Sequence, residues 1–179
     1  MATPPDFTAG QVLTAAQMNK VGMWIVASEA VGTAVSSVTI SDCFSADYDD
    51  YRVIWSGGLG SGTTDIKVQV GGVTSTDYLY AESNVNYATG ATVTGNSNAS
   101  SAVRQIGRAS TSYGYVDLHI RGPFLTTQTF FSAPYHTTGT AGWAIGYLND
   151  TTSHTSVTLR TNSGTITGGT ITVYGMNKG

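Results

Sequence analysis

Apolar and polar residues alternate along most of the chain after Trp24, and this pattern predicts short β-strands. In the clearest run, Val116, Leu118 and Ile120 are separated by charged or polar residues, which places them on one face of a strand. Similar runs bounded by Gly, Asn or Asp lie at 35–40, 51–55, 66–70, 103–109, 129–135, 141–148, 156–161 and 170–174. The pattern predicts an all-β fold over residues 24–179, an antiparallel β-sandwich or jelly-roll-like domain.

One segment inside this region lacks the alternation. Residues 88–101 consist of Gly, Asn, Ser, Thr and Ala with a single Val, and they offer little that a core could bury. We therefore expect a long exposed loop between two strands.

The first 23 residues follow a different pattern, that of a short helix. Thr14 and Gln17 have the spacing of a capping box, and Gly22 is placed to end the helix. Leu13 and Met18 have the spacing of a hydrophobic staple. The chain is thus predicted to begin with an extended arm and one short helix, residues 1–23.

A helix of about two turns is not stable alone in water, so its apolar side chains must pack on something. One alternative is its own β domain, and the other is a different protein. Pro4 and Pro5 favour the second alternative, because a stiff lead-in without backbone donors suits a segment that runs along a partner. The candidate anchoring residues are Phe7, Val12, Leu13, Met18 and Val21.

Charge is scarce in this chain. Charged residues make up 11% of the 179 residues, against roughly 25% in typical globular domains, and Ser and Thr make up about a quarter. The eight Lys and Arg are scattered and the net charge is −3, which argues against nucleic acid and anionic membranes as partners. No apolar run approaches the roughly 20 residues of a membrane span, and a secretory signal is not evident, so we expect synthesis in a cytoplasm.

The residues that could carry chemistry are few. The single cysteine, Cys43, excludes an intramolecular disulfide and is expected to be a buried small side chain beside Phe44. The three histidines lie on a polar strand face or in Thr-rich turns, without a Gly-x-Ser-x-Gly elbow or a His-x-x-x-His spacing. We expect no catalytic residue, no enzyme activity and no cofactor.

An acidic cluster is the one metal-site candidate. Asp47, Asp49 and Asp50 lie close together with Asp42 nearby, and calcium prefers several such oxygens from one loop. Aspartate is also a common turn former, and the cluster lies between two predicted strands. The turn interpretation is favoured, so no metal site is assigned.

Aromatic residues near loops are the candidates for ligand contact. Exposed rings can stack on the apolar faces of sugars, and Trp143 with Tyr147 forms the preferred pair, with Tyr113 and Tyr135 as further candidates. The alternative is that these rings lie at the rim of the core with only the hydroxyl groups in water.

Three segments resemble parts of known virus proteins. Residues 6–19, DFTAGQVLTAAQMN, resemble a segment found at the N-termini of structural proteins of tailed bacteriophages. Residues 168–176, GGTITVYGM, and residues 43–52, CFSADYDDYR, resemble the last strand and the start of small β domains at the tips of phage fibres.

The resemblance implies a virion appendage protein of a tailed bacteriophage. Its N-terminus would attach to other virion proteins, its β domain would point outward, and the chain would form a homotrimer. Two hypotheses remain: a structural appendage on tail, baseplate or capsid, including a capsid decoration protein, or an adhesin that binds host-surface carbohydrate. Aromatic side chains that converge in a concavity would favour the adhesin.

Overall fold

The computed structural model describes Gly10, Val12 and residues 22–177. The predicted helix and the anchoring residues Phe7, Leu13, Met18 and Val21 lie outside the described residues, whereas Val12 is described and exposed. Residues 22–177 contain no helix that is long and apolar enough to cross a membrane.

The described part of the chain is all-β, as the alternation predicts, with thirteen strands. Their bounds are β1 Met23–Ala30, β2 Ser37–Ile40, β3 Tyr48–Gly60, β4 Thr64–Val70, β5 Tyr78–Asn86, β6 Thr92–Ser100, β7 Val103–Ala109, β8 Gly114–Arg121, β9 Thr129–His136, β10 Thr140–Leu148, β11 Val157–Thr161, β12 Ile166–Thr167 and β13 Thr170–Asn177. Every strand pairing is antiparallel.

Strand β8 is the junction of the sheet. One edge of β8 pairs with β3, which leads on to β13 and β1. The other edge is shared: residues 114–116 pair with β7, and residues 119–121 pair with β9. The sheet continues from β9 through β10 and β5 to β6, and from β7 through β4 and β11 to β2. Because β7 and β9 pair with successive parts of the same edge of β8, β7 also lies close to β9, β10 and β5.

The core is built from the inward residues of these strands. Val116, Leu118 and Ile120 are fully buried, which confirms the predicted face of β8. Cys43 and Phe44 are buried as predicted, and burial raises the pKa of the Cys43 thiol to about 12. A low-dielectric site disfavours the thiolate, so this cysteine acts as a packing residue.

The indole of Trp55 explains a glycine run that was expected to end a strand. Strand β3 instead continues to Gly60, with a register shift between Trp55 and Gly58 in its pairing to β8. A Cβ at Gly58 would lie 2.2 Å from the Trp55 ring, and one at Gly114 would lie 2.4 Å from it. The glycines therefore make room for a buried tryptophan, whose Nε1 donates to the Gly168 carbonyl at 3.2 Å.

The predicted loop at residues 88–101 is wrong: most of it is strand β6, which pairs with β5 as a hairpin. The turn is held by Asn86, whose Oδ1 accepts from the backbone N–H groups of Ala88 and Thr89 at 2.9 and 3.0 Å. The backbone of β6 pairs with β5 along the hairpin, and no residue of β6 is buried. The exposure was predicted correctly, but an edge strand with nothing to bury lacks the apolar alternation that identifies strands.

Candidate functional site

The outward face of β9 and β10 carries an unusual concentration of apolar side chains. Strand register places Trp143 beside Pro134, Ile145 beside Ser132, and Tyr147 beside Phe130. Phe130, Trp143 and Ile145 are 49%, 45% and 53% exposed, although β10 is an interior strand of the sheet. We call Phe130, Pro134, Trp143, Ile145 and Tyr147 the apolar band. The ring of Tyr147 is partly covered and lies tilted against Phe130, with 5.9 Å between the centroids.

A charged band runs beside it on β3 and β8. The Arg52 guanidinium donates two hydrogen bonds to Asp117, of 2.7 and 2.6 Å. His119 Nε2 lies 3.1 Å from Asp50 Oδ1, and Arg121 Nε lies 3.6 Å from the same oxygen. The hydrogen bonds from Arg52 lower the pKa of Asp117, so its carboxyl is ionised at neutral pH. His119 thus lies in a partly solvated charge network, as its position on the polar face predicts.

A groove separates the two bands. Ser132 has a small side chain between larger ones, and register places it next to His119 on one side and Ile145 on the other. Two adjoining cavities of about 320 and 430 Å³ open here. The first is lined by Trp143, Pro134, Asp117 and His119, and the second by Phe130, Ile145, His119 and Arg121. The groove therefore has one apolar wall and one charged wall.

A group of stacked rings continues this face toward the end of the sheet. Tyr115 stacks on His136 with 4.0 Å between centroids, and Tyr113 stacks on Tyr115 at 6.3 Å. The Tyr115 hydroxyl donates to the His136 carbonyl, and burial raises its pKa to about 12. A further cavity of about 360 Å³ is lined by these rings with Thr137 and Thr138.

The structure brings together some of the predicted contact residues and not others. Trp143 and Tyr147 belong to the apolar band. Tyr113 belongs to the neighbouring group of stacked rings on the same face. Tyr135 is corrected: it is 2% exposed, and its hydroxyl lies 3.3 Å from Asp65 and accepts from Arg108. Every second residue of β9 points inward. Tyr135 lies four residues after the buried Phe131 and therefore on the same inward face.

Sequence reasoning missed the other members of this face. Phe130, Pro134 and Ile145 were not candidates, and Tyr115 and His136 were not linked. Each of these residues points outward from its strand. Sequence alternation could therefore have identified the outward residues of each strand separately. Which strands are neighbours is a property of the topology, and only that brings Asp117 and His119 opposite Trp143.

The described residues contain no group of three or more His, Cys, Asp and Glu side chains arranged to hold a metal ion. Asp47 accepts a hydrogen bond from Ser45 Oγ at 3.1 Å, and Asp49 and Asp50 belong to strand β3. The ion pairs and the ring stacking of the three histidines in this part of the chain involve Asp50, Tyr115 and Asp150.

Comparison with known proteins gives little to add. No family model matches the sequence, and no curated protein is similar to it. A structure described as "Structure of infectious bursal disease virus Gx strain" aligns with 13% sequence identity and a TM-score of 0.16, covering 86% of this chain and 40% of that one. This chain thus spans less than half of the chain it aligns with, and a likeness this weak carries no argument.

Proposed function

We propose that this chain is a non-enzymatic virion appendage protein of a tailed bacteriophage, with a β-sandwich domain that binds host-surface carbohydrate in the groove. Residues 1–23 would attach it to other virion proteins. The observation that carries the binding proposal is the exposed Trp143 ring, which faces Asp117 and His119 across the groove. Of the four aromatic candidates only Trp143 lines this groove, and it is the apolar side chains of Pro134 and Ile145 that join it there.

The chemistry of the groove suits a sugar. Small-molecule sites combine apolar and aromatic walls with a few polar groups that fix orientation. Here an indole offers a flat apolar surface, and an ionised carboxylate and an imidazole offer hydrogen bonds to hydroxyl groups. The groove is shallow, so one site would bind weakly. Many copies on one particle would multiply that affinity.

A structural role is the second candidate, and the size of the apolar band favours it. Phe130 and Ile145 are about half exposed and extend the apolar surface along the groove beyond Trp143. Contiguous exposed apolar surface often marks a protein interface. In this alternative the band packs against another virion protein or another copy of the chain, as in the homotrimer that the resemblance implies.

A binding experiment with two tryptophan variants tests the proposal. We expect the purified full chain to bind a subset of glycans on an array of bacterial surface polysaccharides, and Trp143→Ala to reduce that binding at least tenfold. Trp24→Ala is the matched control, because Trp24 is also exposed but lies on β1, at the far end of the sheet. Equal binding by all three proteins, or no glycan bound by wild type, would refute the proposal.

A further inference from the structure

Strand β6 is an edge strand whose first six residues lack the usual protection. It has nine residues, TVTGNSNAS, and pairs among the described strands with β5 alone. Natural edge strands are commonly short, carry charge or proline, or are interrupted by a bulge, and each of these hinders pairing with another chain. The pairing of β6 with β5 is regular from Thr92 to Ser97, and the register shifts only after Ser97. β6 contains neither a charged residue nor a proline. Strand β2, another end of the sheet, has only four residues.

The free backbone groups of β6 can be identified from its pairing. Asn86 N donates to Ala91 O at 2.9 Å, so this pair is hydrogen-bonded. Hydrogen-bonded and non-bonded pairs alternate in an antiparallel ladder. The next pair, Val85 with Thr92, is therefore non-bonded, and so are the pairs that contain Thr94 and Asn96. The backbone N–H and C=O groups of Thr92, Thr94 and Asn96 consequently point away from β5.

Exposed apolar side chains are concentrated at the same hairpin. Val93 and Tyr87 are 67% and 61% exposed, and Val85 on the neighbouring strand is also exposed. Val85 and Val93 point to opposite faces of the hairpin, because register pairs Val93 with the inward Asn84. A further strand beside β6 would cover part of both faces.

We propose that β6 pairs antiparallel with β6 of a second copy of this chain. The strand carries no charged side chain, so no register of self-pairing brings like charges together. Around a two-fold axis at Thr94, Thr92 would face Asn96 and Val93 would face Gly95, so the outward backbone groups of Thr92, Thr94 and Asn96 in one copy would meet those of the other. Such an interface is isologous and leaves no free β6 edge for a third copy.

The pairing has a consequence for binding that rests on the proposed function. The two-fold axis of an antiparallel strand pair is perpendicular to the sheet, so the outer faces of both copies point to the same side. Two grooves would then face one host surface and bind together. The pairing itself does not depend on glycan binding, and Trp143→Ala should leave it intact.

Analytical ultracentrifugation of the full chain tests the pairing. One variant, Thr94→Lys with Asn96→Lys, places like charges on the β6 edges of both copies, which should then repel each other. A second, Thr94→Pro, removes an outward N–H and leaves the ladder to β5. Thr126→Lys is the control, because Thr126 is exposed in the loop between β8 and β9. We expect wild type and control to have twice the mass of both edge variants, while the circular dichroism spectra of all four proteins agree; equal masses would overturn the proposal.

Hydrogen exchange on wild type gives a test that needs no substitution. If β6 pairs between copies, the amides of Thr94 and Asn96 exchange slowly in a concentrated sample and at least tenfold faster after dilution to monomer. The amides of Val93 and Gly95, which face β5, should change much less. Exchange at Thr94 and Asn96 that is fast at every concentration would show that the edge is free.

Discussion

Arg52 on β3 and Asp117 on β8 form a two-bonded ion pair at the wall of the groove, with Nε–Oδ1 and Nη2–Oδ2 distances of 2.7 and 2.6 Å. The pair holds the carboxylate in a fixed orientation toward the cavity that Trp143 lines. Both side chains are more than a third exposed, so solvent screens the attraction. The pair orients a groove residue more than it stabilises the fold.

Arg52→Met should therefore change the pKa of the Asp117 carboxyl group clearly and the free energy of unfolding only slightly. The pKa of Asp117 is lowered by the Arg52 hydrogen bonds, so we expect it to rise toward its usual value in the variant. The cost in unfolding free energy should not exceed about 1 kcal/mol. A ¹³C-carboxyl NMR titration gives the first quantity and urea unfolding the second; an unchanged pKa would show that Arg52 does not hold Asp117.

Gly58→Ala should destabilise the fold. The new methyl group would meet the Trp55 indole at 2.2 Å in a closely packed core, and overpacking of this kind costs about 1–3 kcal/mol. Gly62→Ala is the control, because a Cβ there meets nothing within 4 Å. Urea unfolding of both variants measures the difference. Equal stability would mean that the space beside Trp55 is larger than described.

His154 should make the fold sensitive to mild acid. The imidazole is buried and lies 3.6 Å from Asp150, and burial lowers its pKa below the ordinary 6.5 despite that carboxylate. The unfolded chain then binds the proton more readily, so this contribution is fully present above pH 6.5 and is lost as pH falls.

Urea unfolding at pH 7, 6 and 5 tests this contribution. We expect the unfolding free energy of wild type to fall over this range, and that of His154→Gln to fall less. Parallel curves for the two proteins would assign the acid sensitivity to other groups.

Removal of residues 1–23 should separate attachment from folding. The deletion takes away the predicted arm and helix and only the first residue of β1, and the buried core lies in the remaining strands. We expect a soluble folded domain that does not enter particles. Loss of the folded domain would show that this segment belongs to its core, and normal incorporation would show that attachment lies elsewhere. Leu13→Asp with Met18→Asp should reproduce the loss of incorporation in the full chain.

Apolar side chains buried on one face explain which strands could be predicted; strand β5, whose inward face carries Glu82 and Asn84, was missed. Strand β7 was predicted at 103–109 and lies at Val103–Ala109, and the inward face of β8 was read correctly. Strand β6 was missed, because it buries no side chain on either face. Strand β1 was missed as well, since its apolar residues Met23, Trp24, Ile25 and Val26 are consecutive and do not alternate with polar ones, and the first three are exposed.

The groove could be predicted only in part. Trp143 was a candidate because it lies in a Gly-rich neighbourhood. Asp117 and His119 come to lie near it only because strands β8, β9 and β10 are neighbours in the sheet. Tyr135 shows the opposite error, since its position near a turn suggested exposure while the parity of β9 turns it inward. Sequence alternation assigns faces within a strand, and the long-range pairing decides which faces form one surface.

The indole N–H resonances of the three tryptophans give the most direct test of the central claim. Trp143 lies in the groove, Trp55 is buried in the core and Trp24 lies on β1 at the far end of the sheet. The chain is ¹⁵N-labelled and titrated with the host-surface oligosaccharide selected on the array. The account predicts that the Trp143 indole signal shifts progressively to saturation while those of Trp24 and Trp55 stay in place; a saturable shift of Trp24 with Trp143 unchanged would contradict it.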